Sequence, residues 1–521
     1  MAKQQASLVK YINAIKQSPR EIYNRHLFIS VIAFALGGCA KGWDEGSAAS
    51  ITELPSFQKT YLIDDDTISN LVSFVNLGAG VGALLSFLVN DRIGRIWSLR
   101  LYQTLYIIGS LISCFAYGHV GVLYVGRIVA GLGIGALSVV GPMAISEIAP
   151  KNIRGLMTLW FNICMLTTQM NGVFTVYGCS IHIPGTSHLQ NQIPWFVQTF
   201  APAISIFLSF FSVESPRWLL LRNRQQEGLE ALELLRCLPV SNAYAAEEYH
   251  GMTTQVEQTD SSYLSIVKET FFVRSNLRRV QLTVIAYILA QMSGANSVTN
   301  YLPTIYGLIG ITGSGVKVYS TGLYSLTKVI CCIAASLILV DVIGRRKSMM
   351  TGVCIQAVCH AYLAGYLKYD LEAPDTVSKG ASDAAIAAVF IHALGWAMGL
   401  YSLPYLFGAE LWPNRIRSFG GALSQGFHWL FYFAITKATP ALLEGTDQWG
   451  AFVLFAAFCV IAFAYAYFFV PETSGLSLEE IDMIFERPIY RLAQPLVRAE
   501  EEVEVKDEEK METRSAYVER A

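Results

Sequence analysis

The chain has 521 residues, 53% of them hydrophobic and only 15% charged, with a mean hydropathy of +0.40 and a formal net charge of −2. A soluble protein of this length would split into two to four domains and carry about 25% charge, and nothing in the near-neutral balance points to nucleic acid. The ten cysteines (Cys39, Cys114, Cys164, Cys331 and Cys332 among them) are scattered through apolar segments without CxxC or metal-ligand spacing, so they read as small core residues and no cofactor is implied.

The N-terminal stretch "MAKQQASLVKYINAIKQSPREIYNR" is polar and has no short apolar core with a cleavage site, so the first spanning helix is expected to direct insertion itself. Apolar segments of roughly 20 to 25 residues then begin near residues 27, 68, 98, 122, 155, 195, 279, 316, 348, 382, 418 and 449. Each can cross a hydrocarbon core about 30 Å thick at about 1.5 Å per residue. The fold class read from this is an all-α membrane protein of twelve transmembrane helices in two six-helix halves. Residues 1–25 form a terminus, 26–213 the first half, 214–276 a polar loop with short amphipathic helices, 277–470 the second half, and 471–521 an acidic tail. That tail includes "EEEVEVKDEEK", a charge-dense run expected to be disordered.

Lys and Arg counts set the orientation. One set of short loops holds Arg92, Arg95, Lys151, Arg154, Arg345, Arg346, Lys347, Arg415 and Arg417; the alternate set holds only Lys59, Lys317, Lys368 and Lys379. The basic set, the long central loop and both termini are therefore placed in the cytoplasm.

The two halves repeat each other. "DRIGR" (Asp91 to Arg95) after span 2 answers "DVIGRR" (Asp341 to Arg346) after span 8. Glu147 to Arg154 after span 4 and Glu410 to Arg417 after span 10 share E-x-x-P-x-x-I-R. "ESPR" (Glu214 to Arg217) after span 6 answers "PETSG", with Glu472, after span 12. Offsets of roughly 250 to 263 residues mean that one six-span unit occurs twice, the layout of transporters with a site at the midplane. Asp91, Arg92, Arg95, Glu147, Arg154, Glu214, Arg217, Asp341, Arg345, Arg346, Glu410, Arg417 and Glu472 are then expected to form a cytoplasmic gate, carboxylates and guanidiniums tying the halves together. The plainer alternative is that the arginines only satisfy the positive-inside bias.

Over about residues 25 to 485 the sequence resembles a sugar porter of the major facilitator superfamily, in a style similar to fungal members. The resemblance rests on "GWDEG", "DRIGR", "GRIVAGLGIG", "SEIAPKNIRG", "ESPRWL", "QMSGAN", "DVIGRR", "AELWPNRIR" and "PETSGLSLEEID" in this order. It implies a twelve-helix fold, alternating access and a monosaccharide-like substrate. Departures fall where substrate should bind. Asn162 stands where the family usually has Gln, and Ala290 replaces the first Gln of "QQLSGIN" while Gln291 and Asn296 are kept. Asn300 and Tyr301 stand where aromatics are frequent. Tyr405 replaces Trp after Pro404, and "NW" becomes His428 and Trp429.

A sugar offers hydroxyls on all sides and two weakly apolar faces, so amides and aromatic rings suit it. Asn162, Gln291, Asn296, Asn300, Tyr301, Tyr405, His428 and Trp429 are candidate substrate residues; helix–helix bonding is the alternative for each. Asp44, expensive inside a membrane at about 2.5 to 3.5 kcal/mol, needs a partner or a proton. The resemblance implies that Arg127 is that partner and that protonating Asp44 couples proton entry to sugar entry; a structural ion pair without coupling is the alternative. Lys41, at i−3 on the same face, could also hold Asp44 ionised. "GLGIG" (Gly131 to Gly135) lies inside an apolar helix with no preceding strand and reads as close helix packing. Lys328, near the centre of span 8, is a candidate receiver, together with His428, for the carboxylate of an acidic substrate such as a uronate or quinate, with a structural pair or hydrogen bond within the C-terminal half as the alternative.

The intramembrane histidines His360, His392 and His428 lack the spacing of a metal-dependent enzyme. The resulting expectation is a plasma-membrane importer of a monosaccharide or sugar acid, driven by protons, whose partners are the solute, protons and the lipid bilayer. A facilitative uniporter and a sugar sensor of the same fold are the competing readings.

Overall fold

The computed structural model describes residues 9, 12–13, 15–16, 18–61, 64–257, 263–339, 343–373, 377–401, 411–413, 416–472, 483–487 and 492. Among the described residues twelve helical stretches follow one another at the expected places. Span 1 is Arg25–Ala35 continued by Gly37–Ile51, and spans 2 to 5 are Asp65–Ile93, Arg95–Cys114, Val120–Ile148 and Arg154–His182. Span 6 is Leu189–Val197 with Phe200–Ser209, and span 7 runs in three pieces, Arg274–Met292, Ala295–Asn300 and Leu302–Leu308. Span 8 is Ser314–Ala334 with a π-helical turn Ala335–Leu339, and span 9 is Arg345–Glu372. Span 10 is Lys379–Trp396 with a second π-helical turn Ala397–Tyr401; spans 11 and 12 are Arg417–Gly445 and Trp449–Phe468. Between the halves the described residues form four short helices, Pro216–Leu221, Gln225–Arg236, Ala243–Glu257 and Tyr263–Phe272.

Among the described residues seven stretches are long and apolar enough to be recognised as membrane spans singly. The others are interrupted or carry polar residues that face inward. Gln103, Gln169, Ser424 and Thr436, on spans 3, 5 and 11, are all buried. A polar residue inside a bundle costs little when a neighbouring helix bonds it: Gln103 Nε2, for one, donates to Ser205 Oγ at 3.1 Å.

Small residues let the helices approach closely. A Cβ added to Gly42 or Gly46 of span 1 would stand 1.8 Å from Met165 O or 2.1 Å from Gln169 O of span 5. At Gly131 and Gly135 of span 4 it would meet Val75 O at 2.2 Å and Ala79 O at 1.8 Å of span 2. "GLGIG" is thus a helix-packing surface, in which the missing side chains let backbones touch.

The halves meet chiefly along spans 2 and 11. At the basic-loop end Ser418 Oγ donates to Asp91 Oδ2 at 3.3 Å, and the Phe87 and Phe419 rings lie 5.0 Å apart. At the opposite end Lys437 Nζ donates to Asn70 Oδ1 at 2.7 Å and lies 3.7 Å from Asp66, while Ser69 Oγ donates to Lys437 O at 3.2 Å. Spans 5 and 8 also touch there, with the Tyr177 and Tyr319 rings 5.3 Å apart.

Candidate functional site

A central cavity lies between the halves and holds about 410 Å³ of non-atom space, its mouth included. Span 1 contributes Lys41 and Glu45, span 5 Met165, span 7 Tyr287, Gln291 and Asn296, span 10 Trp396 and Tyr401, and span 11 His428. Five of its polar residues form one chain. Asn296 Nδ2 donates to Gln291 Oε1 at 2.7 Å, and Gln291 Nε2 lies 3.2 Å from His428 Nδ1. His428 Nε2 is 3.4 Å from Lys41 Nζ, and Lys41 is paired with Glu45 at 3.6 Å. A neutral imidazole accepts at one ring nitrogen and donates from the other, so the tautomer of His428 decides which of these two contacts it accepts. The chain runs from the first half (Lys41, Glu45) into the second (His428, Gln291, Asn296). Lys41 Nζ also lies 4.5 Å from the centre of the Trp429 ring, a cation–π contact that helps hold the ammonium in a buried place.

Of the sequence-predicted substrate residues, Gln291, Asn296 and His428 line this cavity. Trp429 lies beneath Lys41, its indole N–H donating to Ser138 Oγ at 3.1 Å across the halves. Asn300 and Tyr301 instead join span 7 to span 11: Asn300 Nδ2 donates to Tyr432 Oη at 3.0 Å and Thr436 Oγ1 at 3.3 Å, and Tyr301 Oη to Thr436 O at 2.9 Å. Asn162 faces a separate apolar crevice of about 200 Å³ between spans 5 and 8, with Leu166, Val329 and Cys332. Those three are therefore placed outside the cavity, because spans 5 and 7 present more than one polar face. Tyr405 lies outside the described residues. Lys328 sits behind the cavity wall, 4.1 Å from the centre of the Trp396 ring, and donates to Thr299 Oγ1 at 3.4 Å. Among the described residues no carboxylate stands within ion-pair distance of it.

Glu45, Tyr287, Trp396 and Tyr401 are cavity residues that the sequence reading missed. Two of them had a signal: Glu45 lies at i+4 from Lys41, and Tyr287 at i−4 from Gln291, each on one helix face.

Beside the cavity, Asp44 is paired with Arg127: Nη2 donates to Oδ2 at 3.0 Å and Nη1 to Oδ1. The same guanidinium donates through Nε to Leu71 O at 2.8 Å and lies 5.4 Å from the centre of the Trp195 ring. Lys41 turns away from Asp44 to Glu45 and His428, so the alternative of Lys41 as Asp44's counter-charge is not the geometry found.

At the basic-loop end the charged residues form two matching knots. Arg95 meets Glu147 in a two-bond fork at 2.9 and 3.0 Å and Asp91 at 3.0 Å. Glu214 accepts from the backbone N–H of Arg95 and Ile96 at 3.0 and 3.1 Å, capping span 3. In the second half Glu472 accepts from the N–H of Arg345 and Arg346, each at 3.1 Å, capping span 9. Both caps follow a glycine in the left-handed region, Gly94 at φ +89° and Gly344 at φ +91°, which only a residue without Cβ takes easily. A carboxylate at a helix N-terminus is favoured by the unpaired N–H groups and the helix dipole. Burial nevertheless lifts the Glu214 carboxyl above its ordinary range, against the pull of the Ser215, Ile96 and Arg95 N–H groups.

Among the described residues these carboxylate–arginine bonds lie inside a half, and Asp91 also accepts from Ser418 of the other half. Arg217 adds its charge near Glu147, and Arg154 stands among Glu248, Arg217, Arg236 and Glu147. Arg92 offers its carbonyl to Arg222, and Arg417 donates to Trp412 O at 3.3 Å. Asp341 and Glu410 lie outside the described residues. Arg236, a residue the sequence reading did not single out, forks onto Glu248 at 2.7 and 2.6 Å and reaches Ile148 O at 2.9 Å. It thereby ties the short helices between the halves to the end of span 4.

Comparison with known proteins fits this architecture. The family model described as "Sugar (and other) transporter" matches residues 30–485. A probable quinate permease of Aspergillus flavus is 29% identical over 494 residues, covering 91% of each chain, and the quinate permease of Emericella nidulans is 28% identical over 499 residues, covering 93% of each. Among solved structures, the major facilitator proton:xylose symporter XylE bound to 6-bromo-6-deoxy-D-glucose superposes with a TM-score of 0.74 at 20% identity, covering 88% of this chain and 99% of that one. A partially occluded, inward-open form of XylE gives 0.72 at 19% identity, covering 87% and 100%. With twelve helices in two repeated halves around a central polar cavity, the chain belongs to the sugar transporter family and is a multi-pass membrane transporter of the major facilitator fold.

Proposed function

We propose that the protein imports a monosaccharide (hexose or pentose) or a sugar acid by proton symport and alternating access, in the plasma membrane with both termini cytoplasmic. The observation that carries this is the Asp44–Arg127 pair, buried beside a cavity whose polar chain spans both halves. An intramembrane carboxylate is costly and is retained where it does work. Protonating Asp44 would remove the charge that Arg127 answers, loosening span 1 from span 4 next to Lys41 and Glu45. The work done is movement of the solute, with no bond in it made or broken.

The charges deep in the spans favour the sugar-acid form of this reading. By sequence they are Lys41, Arg127 and Lys328 against Asp44 and Glu45, the remaining charged residues of the spans lying toward their ends. With neutral histidines the excess is one positive charge, and Lys328 is the cation without a described carboxylate. A solute carboxylate entering beside Trp396 would supply the missing counter-charge, which a low-dielectric interior rewards strongly. The names of the curated relatives, quinate permeases, agree with a hydroxylated ring acid.

The test is uptake of labelled glucose, xylose, galacturonate and quinate in a transporter-deficient cell at external pH 5 and 7, with and without an uncoupler. Accumulation that rises at pH 5 and collapses with the uncoupler is expected. Equal uptake under all four conditions would leave a facilitative uniporter, and saturable binding without uptake would leave a sensor.

A further inference from the structure

Span 7 is interrupted where it reaches the cavity. Its first helix ends at Met292, Gly294 takes φ +77° and ψ −2°, and the next helix begins at Ala295. Gln291 and Asn296 are five positions apart, which on an unbroken α-helix would set them about 140° apart around the axis. Yet Asn296 Nδ2 donates to Gln291 Oε1 at 2.7 Å and both side chains line the cavity. The interruption turns these two amides toward each other.

It also frees a carbonyl. Val298 N donates to Gly294 O at 2.8 Å, so the new helix is bonded from Gly294 onward and the carbonyl of Ser293 is released from it. His360 of span 9 takes up that oxygen: Nε2 lies 2.9 Å from Ser293 O, with the Cys459 thiol of span 12 at 3.9 Å. Because a carbonyl can only accept, the imidazole holds its proton on Nε2. His360 is fully buried and outside the cavity, its ring 5.6 Å from that of Phe455. Phe455 in turn closes over Gly294, where an added Cβ would lie 2.4 Å from its ring. Spans 9 and 12 therefore grip the interruption from behind.

We propose that His360 is a positioning residue for solute binding: its Nε2–H holds the Ser293 carbonyl, and through it the interrupted turn that points Gln291 and Asn296 into the cavity. This rests on the cavity being the solute site. His360 touches no solute; it acts through the backbone of span 7.

The experiment compares His360→Leu, which loses the donor, with His360→Gln, whose amide nitrogen reaches about as far as Nε2. KM and maximal rate per surface molecule are measured with labelled quinate and labelled glucose. His360→Leu is expected to raise KM about five-fold or more with little change in maximal rate, His360→Gln to restore most of it, and His360→Leu to add nothing further in a Gln291→Ala background. A second readout needs no solute: the rate of thiol modification at Asn296→Cys, followed on that peptide by mass spectrometry. It should shift several-fold with His360→Leu and return with His360→Gln. Unchanged labelling together with an unchanged KM, or KM effects that multiply with Gln291→Ala, overturns the proposal. If neither solute is carried, the functional reading fails while the labelling still decides the role of His360. Should His360→Leu not reach the membrane, His360→Asn, whose shorter amide falls short of Ser293, takes its place.

Discussion

Arg127 of span 4 reaches both carboxylate oxygens of Asp44 in span 1, and the two residues are 1% and 5% exposed. So deep a pair cannot lose one member cheaply; an orphaned buried charge costs about 3 to 5 kcal/mol. Asp44→Asn keeps a hydrogen-bond acceptor for Arg127 but cannot take up and release a proton. It is expected to equilibrate solute without concentrating it, and both it and Arg127→Met, each of which strands a buried charge, should lower the amount of folded protein, Arg127→Met the more because it also leaves the carboxylate without a donor. Accumulation ratios and surface abundance of the two variants check this. Wild-type accumulation in Asp44→Asn would remove Asp44 from the coupling.

Lys328 separates neutral from acidic solutes in the proposed mechanism. Lys328→Met is expected to weaken competition by galacturonate and quinate about ten-fold, a loss of about 1.4 kcal/mol, and to leave glucose and xylose nearly unaffected. Competition curves in the same cells give the ratio directly. An unchanged ratio means that Lys328 serves only structure, through Trp396 and Thr299.

Two arginines between the halves each pair with a glutamate, at very different burial. Arg236 and Glu248 have side chains 0% and 4% exposed, while Arg224 and Glu227 are 47% and 51% exposed. Arg236→Ala should cost about 3 to 5 kcal/mol by stranding Glu248, and Arg224→Ala between 0 and about 1 kcal/mol, because water screens that pair already. The melting temperatures of the two variants in detergent measure the contrast.

Glycines on spans 1 and 4 set helix spacing. Gly46→Ala and Gly135→Ala would drive a methyl into a facing backbone carbonyl and should destabilise by about 1 to 3 kcal/mol. Gly178→Ala, which meets nothing within 4 Å, is the control and should be neutral or slightly favourable. Melting temperature and surface abundance report all three.

That Asp44 needs a partner was legible in the sequence, because a buried carboxylate is costly alone; that the partner is Arg127 was implied by the family resemblance. The capping role of Glu214 and Glu472 was half legible: their repeat at equivalent places showed that they matter, but a single line of sequence cannot say whether a carboxylate reaches an arginine side chain or a backbone N–H. The choice among polar residues was not legible. Asn162, Gln291, Asn296 and Asn300 are alike in chemistry; Asn300 is claimed by Tyr432 and Thr436 of span 11, while Gln291 and Asn296 meet at the cavity.

The sequence by itself determined the twelve spans, the twofold repeat and the residues that must find partners in a membrane, because these follow from length, hydropathy, repeated motifs and the cost of unpaired charge; the family followed from the resemblance its ordered motifs carry. Only the tertiary structure decided which partner each residue finds. Lys41 goes to Glu45 and His428 and not to Asp44, His360 goes to the Ser293 carbonyl, and Glu214 and Glu472 cap helices of their own halves. Those outcomes depend on how helices far apart in the chain rotate and break against one another, and it is the packing of the whole bundle, through contacts such as Phe455 on Gly294, that fixes them.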